Sequence, residues 1–432
     1  MRFGTVQWGM EAVMREDRSV SLRVDLPPLP VLSDRRLAVR LTPDAFRQVR
    51  GGHPWVYGDS IAFVSNEDAD PGTLAVIFDD KRDFAAIGLW DPTSPIRIRV
   101  LHAGKPAKVD ADFFAKVLIN AYDARSELAD SGTTGWRWVN GENDGLGGLI
   151  VDRYDTTLVI KVYTPAWLPH FRSIVDALIG IDNPQRIVLR LGRNMEQSSE
   201  VISAGLNDGM TIYGPAAHGP VEFEENGLVF GADVVNGQKT GHFLDQRDNR
   251  AIIASFSKDK DVLDVFSCTG GFTVHAAAGG ARSVHSVDIA DPAIATAIDN
   301  MERNDLGDVP HRRSVGDAFE VLAELAESDE RYDVVIVDPP AFASRASERD
   351  RAIRAYRKLT ELALQVLRPG GRLFQASCSS RVTEDELLAT VRAAVSGQGR
   401  EIEELQVFGH AVDHPVSFTQ GTYLKAVTGI IR

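Results

Sequence analysis

The apolar positions of this chain fall into three successive regimes. Between residues 35 and 105, short alternating or apolar runs recur at Arg36 to Leu41, Leu74 to Phe78, Phe84 to Trp90 and Ile96 to Leu101. Turn signals such as Asp70-Pro71-Gly72 and Asp91-Pro92 separate them, which predicts a small β-rich domain. Residues 106–225 mix the two periods. A helical stretch covers Ala111 to Leu128, and strands are predicted near Gly148 to Asp152, Thr157 to Tyr163, Arg186 to Leu191 and Gly209 to Tyr213. From residue 226 onward, runs suited to buried strands alternate with helical periodicity. A strand at Val262 to Phe266, a small-residue turn at Ser267 to Gly271, a helix at Phe272 to Gly279 and a strand ending in Asp288 form the first unit. Helices at Pro292 to Asn304, Ala318 to Ala326 and Arg349 to Leu367 follow, with strands at Tyr332 to Val337 and Arg372 to Ala376. Such alternation predicts an α/β domain with a doubly wound, mostly parallel sheet. Ahead of all this lies an extension, 1–34, whose LPPLP (Leu26 to Pro30) reads as a linker. It is expected to be partly disordered. The chain thus divides at 1–34, 35–105, 106–225 and 226–432.

In a doubly wound sheet, ligands bind outside the carboxyl ends of the strands. Asp264, Asp288, Asp317, Asp338 and Cys378 each sit at or just past a predicted strand end. Five separated residues are therefore expected on one rim. The first unit suits a nucleoside. Phe266, Ser267, Thr269 and Gly270 lie in a turn that lets the backbone approach a ligand. Asp288 can accept hydrogen bonds from ribose hydroxyls. Asp317 can serve an adenine amino group, an N-cap, or both. The run S-C-T-G-G-F lacks the G-x-G-x-x-G of dinucleotide sites, and no G-x-x-x-x-G-K-[ST] occurs. Asp264, just before the turn, would repel phosphate and suit a cationic methionine tail. The unit resembles the first motif of class I S-adenosylmethionine-dependent methyltransferases. Read alone, it is equally a generic β-α-β crossover.

Composition narrows the setting. Hydrophobic content of 44% and charged content of 25% are those of a globular protein. No apolar run is long enough to span a membrane, and the N-terminus lacks an uninterrupted apolar segment of the signal-peptide kind. Two cysteines, Cys268 and Cys378, make neither a disulfide framework nor a zinc site. A reducing cytoplasm is the expected location. The acidic, Gly-rich loop NGENDGLGGLIVDRY (140–154) lacks calcium-loop spacing, so no metal is expected. Net charge is −14, which argues against a surface coated for nucleic acid but allows a local basic groove. Residues 35–105 escape the acidic bias, with ten Lys/Arg against nine Asp/Glu. They contain RGGHPWVY (50–57), where His53 and Trp55 combine imidazole and aromatic character suited to phosphate and stacked bases. The competing reading makes Trp55 and Tyr57 core. A second basic stretch, Ser344 to Lys358, holds six cations against two acids, among them Arg345 and Arg349. It is either a phosphate contact or a solvated helix face.

Two features carry reaction chemistry. Asp338-Pro339-Pro340 stiffens the loop after its strand and can hold a carboxylate against a nucleobase. Cys378 lies in SCSS (377–380), beside Arg381. That polar setting is expected to lower its pKa and favour the thiolate. Carbon 5 of a pyrimidine is a poor nucleophile until a thiolate adds at carbon 6. The stretch GQKTGHFLDQR (237–247) offers Lys239, Thr240, Asp245, Gln246 and Arg247, which could close over the cofactor's methionine end or the target base. Otherwise it is a half-solvated loop. Cys268 reads as a small filler of the cofactor turn.

Taken together, RGGHPWVY, NGENDGLGGLIVDRY, GQKTGHFLDQRDNR (237–250), DVFSCTGGF (264–272), VDPPAF (337–342), SCSS and DHPV (413–416) resemble the bacterial large-subunit ribosomal RNA cytosine-5 methyltransferases with an N-terminal PUA domain. The resemblance runs from about Arg36 to Lys425. It implies a PUA-like RNA-binding domain ahead of a class I methyltransferase domain, S-adenosylmethionine as cofactor and ribosomal RNA as partner. It also implies Cys378 as nucleophile, and Asp264, Asp288 and Asp317 lining the cofactor site. A homodimer is one assembly compatible with it. The chain departs from the family at Ala341, where Lys is frequent, and at Cys268, where an aromatic is common. Transfer to an exocyclic base amine, or a non-catalytic RNA-binding role, are the competing readings.

Overall fold

The structure, a computed structural model, describes residues 24–31, 34–79, 81–343 and 345–432. Residues 1–23, most of the expected extension, lie outside the described residues. The proline-rich piece is not a free linker. Asp25 donates its N–H to Ile212, and Leu26 and Leu29 pack on the core of the central domain.

The C-terminal sheet has strands β1 (Asp261–Val265), β2 (Ser283–Asp288), β3 (His311–Val315), β4 (Tyr332–Val337), β5 (Leu367–Ser377), β6 (Ile402–Phe408) and β7 (Lys425–Ile431). Their order is β3-β2-β1-β4-β5-β7-β6. The first five are parallel, and β7 runs antiparallel to both β5 and β6. Helices α1 (Gly271–Ala278), α2 (Asp291–Arg303), α3 (Ala318–Glu327), α4 (Arg349–Val366) and α5 (Glu384–Gly397) connect and cover it. Alternate strand residues feed opposite faces, as the period of two requires. Leu263, Val265, Val335 and Val337 join α3, α4 and α5 in one core. Val262, Val334, Ile336 and Phe374 join α1 in the other. A strand buried on both faces must be apolar throughout, which is why β1 and β4 read as unbroken runs. The strand read as Arg372 to Ala376 begins earlier, at Leu367. It absorbs Pro369-Gly370-Gly371 as an irregularity in register.

Two further sheets precede it. Six strands form the N-terminal sheet, in the order Trp55–Tyr57, Ile96–Ala103, Phe84–Trp90, Leu74–Phe78, Leu37–Leu41, Ile61–Val64. The central sheet runs Met210–Tyr213, Arg186–Leu191, Thr157–Val162, Leu149–Tyr154, Gly135–Asn140. The helix expected over Ala111 to Leu128 breaks after Asp123 and resumes at Ser126. At the break, Arg125 turns inward to pair with Asp144. A hairpin, Val221–Glu225 with Leu228–Ala232, bridges to the C-terminal domain. Its Phe223 and Phe230 share a core with Tyr154 and Val159 of the central sheet and with Phe272 of α1.

Candidate active site

All five predicted strand-end residues lie at the carboxyl side of β1 to β5. Asp264 is the penultimate residue of β1, Asp288 closes β2, Asp317 follows β3, Asp338 follows β4 and Cys378 follows β5.

The turn after β1 is unusual backbone. Phe266, Cys268 and Gly270 have φ of 68°, 48° and 76°, so two non-glycine residues accept left-handed conformations. Hydrogen bonds hold them there. Phe266 and Ser267 both donate to the Val287 carbonyl, at 2.8 and 3.0 Å. Cys268 N donates to Asp288 Oδ2 at 2.9 Å. Gly270 is required outright, because a Cβ there would stand 2.6 Å from Ala297 Cβ. The turn opens α1, whose first residues are buried on every side. Asp264 Oδ2 accepts from Thr273 N (3.0 Å) and Thr273 Oγ1 (2.7 Å). Its other oxygen is buried without a partner, as is Ser267 Oγ. Burial, with Asp288 adding like charge, pushes the Asp264 carboxyl up to about 7. Asp317 caps α3, accepting from Phe319 N at 2.9 Å, and remains exposed.

Across the rim, Cys378 Sγ lies 3.7 Å from the Pro339 carbonyl oxygen. Asp338 keeps a little exposed surface yet is deeply surrounded by protein. Burial and then Asp245 raise it to about 7, with Lys239 and a hydrogen bond from Gln246 opposing. Cys378 is also raised, to about 11, by burial first and Asp338 second. This corrects the expectation of a lowered thiol pKa. The neighbouring serines are turned to structural work, with Ser377 Oγ and Ser379 Oγ both engaging Tyr356 of α4. Burial likewise raises Cys268 to about 11.

The stretch 237–247 is not a half-solvated loop. Thr240, His242, Asp245, Gln246 and Arg247 are all buried. Lys239 Nζ donates to Asp245 Oδ2 at 2.7 Å, and Tyr423 OH to the same oxygen at 2.8 Å. Burial works against it, but Lys239 and His414 hold the Asp245 carboxyl far below the usual range. Gln246 Oε1 accepts from Asn249. Arg247 is 1% exposed and gives Nη1 and Nη2 to Asp413, at 3.0 and 2.8 Å. Asp413 also accepts from Arg137 N at 2.8 Å. The segment 409–424 is thereby strapped to both the central and catalytic domains. Asp245 belongs to the polar stretch that the sequence offers to cofactor or base, whereas Tyr423 has no sequence signal; only the fold pairs them.

His53 and Trp55 meet this strap rather than open solvent. Trp55 stacks edge-on against Phe418 with ring centroids 5.0 Å apart, and its Nε1 donates to Glu142. His53 contacts both rings. Arg345 and Arg349 flank the start of α4, with Arg349 paired to Glu386. Arg351, Arg354 and Lys358 are exposed and, among the described residues, without an acidic partner.

Residues 217–413 match the model of an S-adenosylmethionine-dependent methyltransferase family, and residues 39–103 match a PUA-like domain. A ribosomal RNA large subunit methyltransferase of Deinococcus radiodurans is 44% identical over 92% of this chain and 98% of its own length. The chain belongs to the ribosomal RNA large subunit methyltransferases. A relative from Shewanella frigidimarina, ribosomal RNA large subunit methyltransferase I, is 34% identical over 90% of this chain and 98% of its own. In fold, this methyltransferase superposes on SMU.776 complexed with SAH, with a TM-score of 0.76, 22% identity, and coverage of 91% and 99% of the two chains. The class I methyltransferase fold and the PUA-like domain ahead of it both stand as expected, and the cofactor is S-adenosylmethionine. The site fits that cofactor. The orphaned Asp264 Oδ1 and Ser267 Oγ offer buried acceptors, and the rim bears carboxylates where a sulfonium needs negative charge. No helix among the described residues is long and apolar enough to cross a membrane.

Proposed function

We propose that this methyltransferase forms 5-methylcytosine in large-subunit ribosomal RNA, with Cys378 as a covalent nucleophile. The observation that carries the reading is the placement of Cys378 and Asp338 on adjacent strand ends, with Asp338 beside the Asp264 turn through its N–H to the Val265 carbonyl at 3.3 Å. Residues Asp264, Phe266, Ser267, Thr269, Gly270 and Asp288 would hold the cofactor, and Asp317 would border it. When bound, S-adenosylmethionine supplies an electrophilic methyl group on a sulfonium centre. Cys378 Sγ adds to carbon 6, so that electron density moves to carbon 5. Asp338, which holds its proton to about pH 7, can donate that proton to ring nitrogen 3 and accept from the exocyclic amine. A carboxyl poised near neutrality suits both tasks. Loss of the carbon-5 proton to a base, with the nitrogen-3 proton returned to Asp338, then expels the thiolate and restores the ring. Lys239 and Asp245 flank this chemistry. Their charges act on both Asp338 and Cys378.

Transfer to an exocyclic amine would need an aromatic free to stack on the base. Phe342, the first aromatic after Asp338-Pro339-Pro340, instead packs on Tyr356 with centroids 5.1 Å apart, and its N–H goes to Ser379. That packing supports the cysteine route. Arg345, Arg349 and, on one face of α4, Arg351, Arg354 and Lys358 would meet RNA phosphates as counter-charges. Trp55 and His53 would act through the Phe418 strap that they touch. The test is methylation of unmodified large-subunit ribosomal RNA with isotope-labelled cofactor, followed by nucleoside mass spectrometry. Labelled 5-methylcytidine is expected. Label in an N-methylated nucleoside would refute the cytosine-5 product.

A further inference from the structure

Lys425 opens β7 and pairs across the antiparallel ladder with Ser377, the residue before Cys378. Its Nζ donates to the carbonyl of Ser379, the residue after Cys378, at 2.7 Å. The lysine therefore grips the cysteine's loop from both sides. It is 2% exposed. Among the described residues no carboxylate forms an ion pair with it. An ammonium has three donors, and only one is committed here. A buried cation without a counter-ion is costly to maintain. Burial accordingly lowers Lys425 to about 8, with Cys378 and Glu384 opposing that shift. Around the thiol itself, Asp338 and Asp245 disfavour ionisation and Lys239 favours it, while Tyr356 faces it from α4. The resting site thus holds one buried positive charge with no anion to match, beside a thiol that must become an anion.

We propose that Lys425 is a positioning residue whose ammonium serves as the counter-ion of the Cys378 thiolate. The inference rests on the reading of Cys378 as nucleophile. In the step concerned the S–H bond breaks, the proton passes to solvent, and the electron pair stays on Sγ. Lys425 keeps its three protons and gains the charge partner it lacks in the resting site. A purely structural lysine, present only to bond Ser379, would leave the thiol's titration unchanged.

The test uses the full-length protein and iodoacetamide as probe. Alkylation of Cys378 is followed peptide by peptide, so that Cys268 is scored separately, at roughly pH 6 to 7.5, below the titration of both Lys425 and the thiol, where the rate tracks the thiolate fraction and so reports the midpoint. Replacement Lys425→Met is expected to move the alkylation midpoint up by about one pH unit, a tenfold slower reaction below it. Lys425→Arg should return the midpoint close to wild type. Affinity for S-adenosylmethionine, measured by calorimetry, should be retained in both. Should the Met variant lose cofactor binding, Lys425→Gln, which can keep the Ser379 hydrogen bond, carries the same expectation. An unshifted midpoint in a variant that still binds cofactor overturns the proposal. The nucleophile reading is separable, because it is read from a covalent adduct with 5-fluorocytosine in RNA. An adduct with an unshifted midpoint sinks the role of Lys425 alone. A shifted midpoint without an adduct upholds the charge pairing and sinks the nucleophile.

Discussion

Arg247 and Asp413 offer a sharp test of how the strap 409–424 is held. Arg247 is 1% and Asp413 0% exposed, and two guanidinium–carboxylate bonds of 3.0 and 2.8 Å join them. Removing one partner of such a pair leaves a buried charge stranded, at about 3–5 kcal/mol. Arg247→Met and Asp413→Leu should each cost that much. Asp413→Leu also frees the buried Arg137 N–H, for a further roughly 1–3 kcal/mol. That extra cost is common to the single and double variants, so it cancels in the cycle. Because a buried pair replaced by apolar groups of similar volume is often neutral, the double variant should fall well short of the sum. A coupling of about 2–3 kcal/mol is expected. Urea unfolding followed by tryptophan fluorescence measures it, with S-adenosylmethionine affinity determined in parallel. If the two substitutions add within about 0.5 kcal/mol, and Arg247→Met alone abolishes cofactor binding, the guanidinium belongs to the cofactor and this reasoning is wrong.

Other expectations follow from the same geometry. Burial, opposed by Glu225, holds His242 and His275 down to about 3 and about 4, against an ordinary histidine near 6.5. A histidine with a depressed folded pKa contributes full stability above the unfolded value and loses it as pH falls. At pH 5 each should cost about 2 kcal/mol relative to pH 7.5; urea midpoints at the two pH values check this, with His275→Leu losing about 2 kcal/mol less than the wild type over that interval. Gly270→Ala meets both a φ of +76° and Ala297 Cβ at 2.6 Å, so it should destabilise by about 2 kcal/mol or more and weaken cofactor binding. Asp264 titrates near 7, and its ionised form suits a cation. Affinity for S-adenosylmethionine should therefore fall about tenfold per pH unit below 7, whereas Asp264→Asn should bind weakly with no such slope; a pH-independent wild type would contradict this.

Much of the catalytic half was legible because its strands are buried on both faces and its turns carry small residues. Val262 to Phe266 and Tyr332 to Val337 match β1 and β4 to within a residue. The last two strands escaped. Ile402–Phe408 is an edge strand with a mixed pattern, and Lys425–Ile431 begins with a buried lysine that no periodicity flags. In the N-terminal sheet, Trp55–Tyr57 and Ile61–Val64 are too short to announce themselves. The rim positions of Asp264, Asp288, Asp317, Asp338 and Cys378 could be read because strand ends are a topological consequence. Their protonation could not. Ser377 and Ser379 look like a polar setting in sequence, but their hydroxyls are spent on Tyr356. What remains around Cys378 is burial, two carboxylates and two lysines from distant segments. Residues 237–247 mislead for a related reason. A run rich in charge reads as solvated, yet here its partners Asp413 and Tyr423 arrive from elsewhere in the chain and let it be buried.

The covalent role of Cys378 is tested most directly with large-subunit ribosomal RNA transcribed with 5-fluorocytidine in place of cytidine. Fluorine at carbon 5 cannot leave as a proton does, so the enzyme that adds through sulfur is trapped on its RNA. With S-adenosylmethionine present, the wild-type protein is expected to give a denaturation-resistant protein–RNA adduct whose crosslinked peptide contains Cys378. Cys378→Ala should give none while binding the cofactor normally. Efficient methylation of ordinary RNA by Cys378→Ala, with no adduct from the wild type, would contradict the account.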